Sequence, residues 1–170
     1  MNIYNFPFNA LQIGEEDIPS ETGTEASDAA FGGYLRERIR RLLTDISSRD
    51  IEVKGSCVIL DGHVEKNVLR LGKVNLKIGP QIAGIMHKAE QFAVFAVTVG
   101  EEFETYQEFS SGNNDVLDDY LLNAIGNLMV EKAEHLLEIG LEKEMKGMPH
   151  TRRFSPGCCR WPLSDQEKVL

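Results

Sequence analysis

The chain has 170 residues, 42% of them hydrophobic, and a formal net charge of −9 at neutral pH. This length suffices for one domain with a buried core, and an acidic chain without a basic patch argues against nucleic acid or an anionic membrane as partner. No apolar run reaches the roughly 20 residues of a membrane span, and the N-terminus lacks a signal-peptide pattern. The three cysteines lack the spacing of a secreted framework, so we expect a cytoplasmic protein.

Residues 1–24 are predicted to form an irregular N-terminal arm, with a linker of Pro, Ser, Thr, Gly and Glu at its end. Four apolar residues of the arm are expected to tuck against the core: Phe6, Phe8, Leu11 and Ile13. A single domain is then expected over residues 25–170.

A first helix is predicted from Ser27 to Ser47, since Ser27 and Asp28 are suited to its start. Its apolar residues recur at three- and four-residue steps: Leu35, Ile39, Leu42, Leu43 and Ile46. Four arginines lie among them: Arg36, Arg38, Arg40 and Arg41. We interpret these arginines as a solvated basic face, with anion binding as the alternative.

An antiparallel meander is predicted next, with strands over 51–60, 64–71 and 74–78. Asp61-Gly62 and Gly72-Lys73 are the predicted turns between them.

A short helix over 81–89 is expected after Gly79-Pro80. The apolar run 92–99 is typical of a central strand buried on both faces, and a helix over 101–109 follows it.

The longest element is a predicted helix over 115–146, whose apolar stripe is interrupted by Gly126 and Gly140. Gly126 indicates close packing against another backbone or a ligand, and Gly140 a break or kink; a simply tolerated glycine is the alternative for both. A short strand over 150–154 and a last helix starting at the capping box Ser164-x-x-Glu167 complete the prediction. The elements together predict an α+β fold: a twisted, mainly antiparallel sheet with packed helices, one of them long.

The segment from Arg153 to Pro162, "RFSPGCCRWP", carries the densest chemistry of the chain. It holds two prolines, two adjacent cysteines, two arginines and the only tryptophan. Proline fixes φ and Gly157 permits a positive φ, so the loop has few accessible shapes. A rigid loop with guanidinium, indole and thiol groups held together indicates a small-molecule site.

Residues Arg153 to Val169 resemble the S-adenosylmethionine-binding motif of the activation (reactivation) domain of cobalamin-dependent methionine synthase, and more closely its stand-alone homologues. The segments Ile78–Gly84, "IGPQIAG", and Val97–Phe103, "VTVGEEF", also resemble that group. The resemblance covers roughly the last hundred residues and implies the family's curved sheet-and-helix architecture.

The resemblance also implies the ligand-binding residues. Arg153 would contact the carboxylate of S-adenosylmethionine, for which a planar fork of donors is suited. The implied site comprises Arg153, Ser155, Pro156, Gly157, Cys158, Cys159 and Trp161. Pro156-Gly157 would bring the backbone close to the ligand with free N–H and C=O groups, because glycine has no Cβ to block the approach. Plainer alternatives are a surface arginine, a type II turn at Pro156-Gly157 and a packing role for Trp161. Candidate acidic partners for the ligand's amino group are Glu15, Glu16, Asp17 and Glu102.

The sequence departs from the family pattern at two places. Cys158 stands where relatives have tyrosine, and relatives usually continue beyond the position of Leu170. A C-terminal segment is therefore expected to be lacking.

The resemblance implies an accessory function in methionine biosynthesis, without catalytic or metal-ligating residues of its own. The domain would bind S-adenosylmethionine beside cobalamin (vitamin B12) held by a partner, a methionine synthase core or another corrinoid protein, with flavodoxin or a similar electron donor. The alternative is a non-catalytic binding or sensor module that kept the scaffold. A third hypothesis, a thiol-redox protein using Cys158 and Cys159, lacks the usual Cys-x-x-Cys spacing.

Overall fold

The computed structural model describes residues 1–18, 29–111 and 115–169. Ten strands and α-helices follow one another in these ranges: β1 (Asn2–Pro7), α1 (Ala29–Ser47), β2 (Glu52–Glu65), β3 (Val68–Leu71), β4 (Val74–Leu76), α2 (Gly79–Met86), β5 (Gln91–Thr98), α3 (Glu101–Ser111), α4 (Val116–Glu144) and α5 (Gln166–Val169). Short 3₁₀ turns lie at Phe8–Leu11 and Leu163–Asp165. The predicted start of α1 at Ser27 and most of the predicted linker lie outside the described residues.

The five strands form one sheet in the order β1-β2-β3-β4, with β5 also paired to β2. β2 and β3 are antiparallel with Gly62 opposite Leu71, and β3 and β4 are antiparallel with Leu71 opposite Val74. The predicted turn at Gly72-Lys73 is confirmed, and Gly72 takes the positive φ of 56° that such a turn favours. The mixed helix-and-strand fold class, with its antiparallel sheet and one long helix, is as predicted.

The predicted turn at Asp61-Gly62 is wrong, because β2 runs through both residues. The turn instead lies at Lys66-Asn67, where Lys66 has a φ of 55°. Gly62 serves close packing: a Cβ there would lie 2.6 Å from the carbonyl oxygen of Arg70 and 2.7 Å from Cδ2 of Leu71. The Asp-Gly sequence is typical of a turn, but in this structure Gly62 lies within a strand and allows Arg70 and Leu71 to approach closely.

The irregular arm is also corrected, since residues 2–7 form β1 in the sheet. Its four apolar residues do pack on the core as predicted: Phe8 and Leu11 are buried, and Phe6 and Ile13 are partly buried. The division into an arm of residues 1–24 and a domain of residues 25–170 stays a prediction.

β5 is not a strand buried on both faces. Most of its residues are half-buried or exposed, and among the described strands it pairs only with β2. The prediction of a strand buried on both faces is therefore wrong, because an apolar run does not by itself determine a strand's position in the sheet.

The end of the chain differs from the prediction in two respects. Residues 150–154 form no strand, and the 3₁₀ turn Leu163–Asp165 follows Pro162 without a side-chain cap, so the capping box at Ser164 is not formed. The carboxylate of Asp165 instead accepts hydrogen bonds from the backbone N–H of Lys77 at 3.0 Å and from Nζ of Lys168 at 2.6 Å. The carboxylate of Asp165 thus binds a backbone donor that lies far away in the chain.

The chain divides into two compact units. The sheet unit comprises residues 1–2, 56–96 and 145–170, and the helical unit comprises residues 3–55 and 97–144. The sheet unit has a core from β3, β4, α2, β5 and the C-terminal segment: Leu69, Leu71, Leu76, Ile78, Ile82, Ala83, Phe92 and Trp161.

The helical unit buries the apolar faces of α1, α3 and α4. Gly126 of α4 faces Phe103, whose Cε1 would lie 3.0 Å from an added Cβ, so the close packing predicted for Gly126 is against an aromatic side chain. The break predicted at Gly140 is wrong, because α4 continues through it. Among the described helices, none combines the length and apolar character needed to cross a membrane.

Candidate functional site

The segment Ser155–Trp161, here called the Pro-Gly loop, is folded by three backbone hydrogen bonds. Cys158 N–H donates to Ser155 at 3.1 Å, Trp161 N–H to Cys158 at 2.8 Å, and Gly157 N–H to Trp161 at 2.8 Å. The loop is therefore held as consecutive tight turns, which agrees with the few shapes its prolines and glycine allow.

Three residues of the loop have left-handed backbone conformations. Gly157 has a φ of 97°, Cys159 of 53° and Arg160 of 70°. Positive φ is uncommon for residues with a side chain, and two in succession persist only where the surroundings determine the backbone. The hydrogen bonds of the turns supply part of that constraint.

The loop packs against the start of α2. Gly79 has a φ of 73°, and a Cβ there would lie 2.9 Å from the carbonyl oxygen of Cys159 and 3.4 Å from Cβ of Arg160. Only glycine permits this approach without displacing backbone. Two segments on which the resemblance was based, Ile78–Gly84 and Arg153–Val169, thus meet in the sheet unit.

Trp161 anchors the loop in the core of the sheet unit, where the residue is 7% exposed. Its indole N–H faces the Asp165 carboxylate but reaches no partner at full hydrogen-bond geometry among the described residues. The hydrogen bond from Lys168 and that from the Lys77 N–H hold the pKa of Asp165 below its usual range, against the effect of burial. The packing interpretation of Trp161 is thus confirmed, and its contact with a ligand remains a prediction.

The stretch of sequence that contains the loop is cationic although the chain is acidic. Between Met148 and Leu163 the sequence has three arginines, Arg152, Arg153 and Arg160, and no carboxylate. All three residues are exposed, and the Arg152 guanidinium lies over the Phe154 ring, 5.3 Å from its centroid. This concentration of positive charge suits a ligand with a carboxylate.

The two adjacent cysteines of the loop have their sulfur atoms in contact. Sγ of Cys158 lies 2.8 Å from Sγ of Cys159, and both residues are partly exposed. The hydrogen bond with Cys159 and, secondarily, burial raise the pKa of the Cys158 thiol, while the positive charge of Arg152 opposes the rise.

One expectation for the loop is corrected. Pro156-Gly157 was expected to present free N–H groups, but the N–H groups of Gly157, Cys158 and Trp161 donate within the loop. A ligand would instead meet carbonyl oxygens and side chains, with the exposed Gly157 offering backbone without a Cβ.

The structure does not bring the candidate acidic residues into the sheet unit, since all four belong to the helical unit. Three of them pair with cations there: Glu15 with Arg40 at 2.7 Å, Asp17 with Lys132 at 3.4 Å and Glu102 with Lys54 at 3.4 Å. A backbone hydrogen bond and Lys54 lower the pKa of Glu102. Their role toward the ligand's amino group is untested.

The arginines of α1 are not simply a solvated face. Nε of Arg38 donates to Oδ1 of Asp118 at 2.9 Å, and Arg41 also pairs with Asp118. Arg40 and Arg41 border an open cavity of about 760 Å³ between α1 and α3, which Tyr106 also lines. Burial and a hydrogen bond to Asp45 raise the pKa of Tyr106 to about 12. Because Arg38 and Arg41 are paired internally, anion binding by α1 gains no support.

Sequence reasoning missed three residues that shape these regions: Gly79, Asp118 and Asp165. Each acts on a residue far away in the chain, with Asp165 bound to Lys77 and Asp118 to Arg38. The spacing of nearby residues does not indicate such long-range pairs. The resemblance of the segment "IGPQIAG" to the family was the only indication that Gly79 lies near the segment Arg153–Val169.

The sequence matches no protein-family model and no curated protein. Among solved structures, the chain is similar to the MetH reactivation domain bound to AdoHcy, with a TM-score of 0.67 and 12% sequence identity. The alignment covers 99% of this chain and 69% of that one. At this identity the similarity shows the fold, and it confirms the predicted activation-domain-like architecture.

Proposed function

We propose that this chain is an S-adenosylmethionine-binding homologue of the methionine synthase activation domain that supports reductive remethylation of cobalamin. The observation that carries the proposal is the Pro-Gly loop with its motif, exposed and bordered by arginines, on a reactivation-domain fold. The solved structure with that fold has AdoHcy (S-adenosylhomocysteine) bound, which is the demethylated form of the proposed ligand.

The loop residues fit such a ligand by their chemistry. Arg153 is exposed at the start of the motif, and its guanidinium suits the ligand's carboxylate. Gly157 is exposed with a φ of 97°, so backbone approaches a ligand without a Cβ. Pro156 and Trp161 fix the loop's shape, while Ser155, Cys158 and Cys159 offer the polar and thiol contacts. Bound S-adenosylmethionine supplies the methyl group, and these residues bind and orient it.

Cobalamin in this proposal belongs to a partner, a methionine synthase core or another corrinoid protein, with flavodoxin or a similar protein as electron donor. The chain itself contributes positioning, so no catalytic residue is assigned to it. We propose that the encounter takes place in the cytoplasm, which the spacing of the three cysteines favours.

Isothermal titration of S-adenosylmethionine into the protein, with S-adenosylhomocysteine for comparison, tests the proposal. Arg153→Ala should weaken binding by about 1.5–3 kcal/mol, as for a lost charged hydrogen bond, which is roughly 10- to 150-fold in affinity. Arg70→Ala is the matched control, because Arg70 is exposed in the same unit and pairs with Glu65 at 2.9 Å. Absence of heat with both ligands, or equal affinity of Arg153→Ala and wild type, would contradict the proposal.

A binding or sensor module without the reaction is the second candidate, and Cys158 is the observation that favours it. Cysteine has neither the ring nor the phenol of the tyrosine that relatives carry there. If the aromatic is what this chain lacks, Cys158→Tyr should bind S-adenosylmethionine more tightly and gain remethylation activity with a corrinoid partner. Wild-type protein that binds the ligand yet never supports remethylation would favour the sensor.

A further inference from the structure

We propose that Cys158 and Cys159 are a reversible redox-modification site, at which the two thiols close to a vicinal disulfide by exchange with a small disulfide such as glutathione disulfide. The site does not depend on S-adenosylmethionine binding. It rests on the geometry of the Pro-Gly loop, on the exposure of both thiols and on the chemistry of exchange.

The backbone of the loop places the two sulfurs together. Successive side chains of an extended chain point to opposite sides, so adjacent cysteines do not normally meet. Here Cys159 and Arg160 both have positive φ, and Sγ of Cys158 lies 2.8 Å from Sγ of Cys159. The Trp161-to-Cys158 backbone hydrogen bond and the packing of Gly79 hold this conformation without help from the sulfurs.

The two thiols can be reached from solvent, whereas the third cysteine cannot. Cys158 and Cys159 are each partly exposed, and Cys57 is 4% exposed in the sheet. Exchange requires a thiolate with access to the attacked disulfide. The chain therefore contains its own negative control, because Cys57 should not react while the protein is folded.

The reaction balances in two exchange steps. A thiolate of the pair attacks one sulfur of glutathione disulfide, forming a mixed disulfide and releasing one glutathione thiolate. The second cysteine loses its proton to solvent, and its thiolate attacks the protein sulfur of the mixed disulfide, releasing the second glutathione. The two cysteines are oxidised by two electrons in total, and one glutathione disulfide is reduced to two thiols. The raised pKa of Cys158 favours Cys159 as the first nucleophile.

The bond should also open readily. Consecutive Cα atoms are about 3.8 Å apart, below the roughly 4.4 Å lower end for ordinary disulfides, so a vicinal disulfide is strained. Strained disulfides are more easily reduced than structural ones. The site is thus expected to be a dithiol under reducing conditions and to close only when the disulfide fraction rises.

The test incubates the full chain in glutathione buffers of increasing disulfide fraction, blocks free thiols by alkylation, and measures intact and peptide masses. The expected product is a protein lighter by two hydrogens before alkylation, with Cys158 and Cys159 linked and Cys57 alkylated after unfolding. Emission of the single tryptophan should change on closure and return with a dithiol reductant, because the backbone N–H of Trp161 donates to the carbonyl oxygen of Cys158.

Variants separate closure from nonspecific oxidation. Cys158→Ser and Cys159→Ser should each stop at the mixed disulfide with glutathione, while Cys57→Ser should close as wild type does. The proposal is overturned if the wild-type protein accumulates stable mixed disulfides without closure. It is also overturned if closure, once formed, resists excess dithiol reductant.

Discussion

At the scale of single residues, the carboxylate of Asp118 decides what the arginines of α1 do. The residue is 6% exposed, and its two oxygens accept from Nε of Arg38 at 2.9 Å and from Nη2 of Arg41 at 2.5 Å. Burial of a charged group is costly unless it is paired and hydrogen-bonded. The basic pattern of α1 therefore serves in part to compensate a buried acid on α4.

Replacing Asp118 by asparagine keeps the shape of the side chain and removes its charge. We expect the free energy of unfolding to fall by about 1.5–3 kcal/mol, the range for hydrogen bonds to charged groups. The loss is limited because Arg38 keeps its pair with Asp115. Urea unfolding measures it, with Asp50→Asn as an exposed control that should change stability by less than about 0.5 kcal/mol. Equal stability of the two variants would show that Asp118 is not a structural ion-pair partner.

At the scale of elements, two glycines of α4 offer a matched comparison. Gly140 has no atom within 4 Å of an added Cβ, whereas Gly126 would place its Cβ 3.0 Å from the Phe103 ring. Gly140→Ala should stabilise the protein by up to about 1 kcal/mol through helix propensity. Gly126→Ala gains the same propensity but overpacks the core, which typically costs about 1–3 kcal/mol, so it should be net destabilising. Thermal unfolding of both variants checks the opposite signs; stabilisation by both would mean that Phe103 moves freely.

Local sequence patterns predict some helices and turns of this chain correctly and others wrongly. Periodicity predicted α1 and α4 because each buries one apolar face against the other helices of its unit. Gly72-Lys73 was predicted as a turn and is one, while Asp61-Gly62 has an equally good turn sequence and lies inside β2. The difference comes from the residues opposite Gly62 in space, which a local pattern does not report.

At the scale of the whole molecule, the sequence predicted the α+β class and the position of the Pro-Gly loop, but not the contacts that hold the loop. Its prolines and glycine indicated rigidity, yet Gly79, which packs against Cys159 and Arg160 of the loop, lies far earlier in the chain. The division into two units was also not predictable, because each unit is built from separated stretches of chain. Such long-range pairings depend on tertiary packing, which neither propensity nor periodicity encodes.

Asp165 links the C-terminal end of the described chain to Lys77 in the sheet unit, and its contribution to the free energy of unfolding should depend on pH. Its carboxylate binds the Lys77 N–H and Lys168, and these bonds lower its pKa in the folded state. A lowered pKa gives stability that is present above the unfolded value of about 3.9 and is lost as pH falls through the folded value. Asp165→Asn should therefore flatten the loss of stability below about pH 4, as measured by urea unfolding at stepped pH. Glu167→Gln, an exposed neighbour, should keep the wild-type slope, and an unchanged slope in Asp165→Asn would assign the acid sensitivity to other carboxylates.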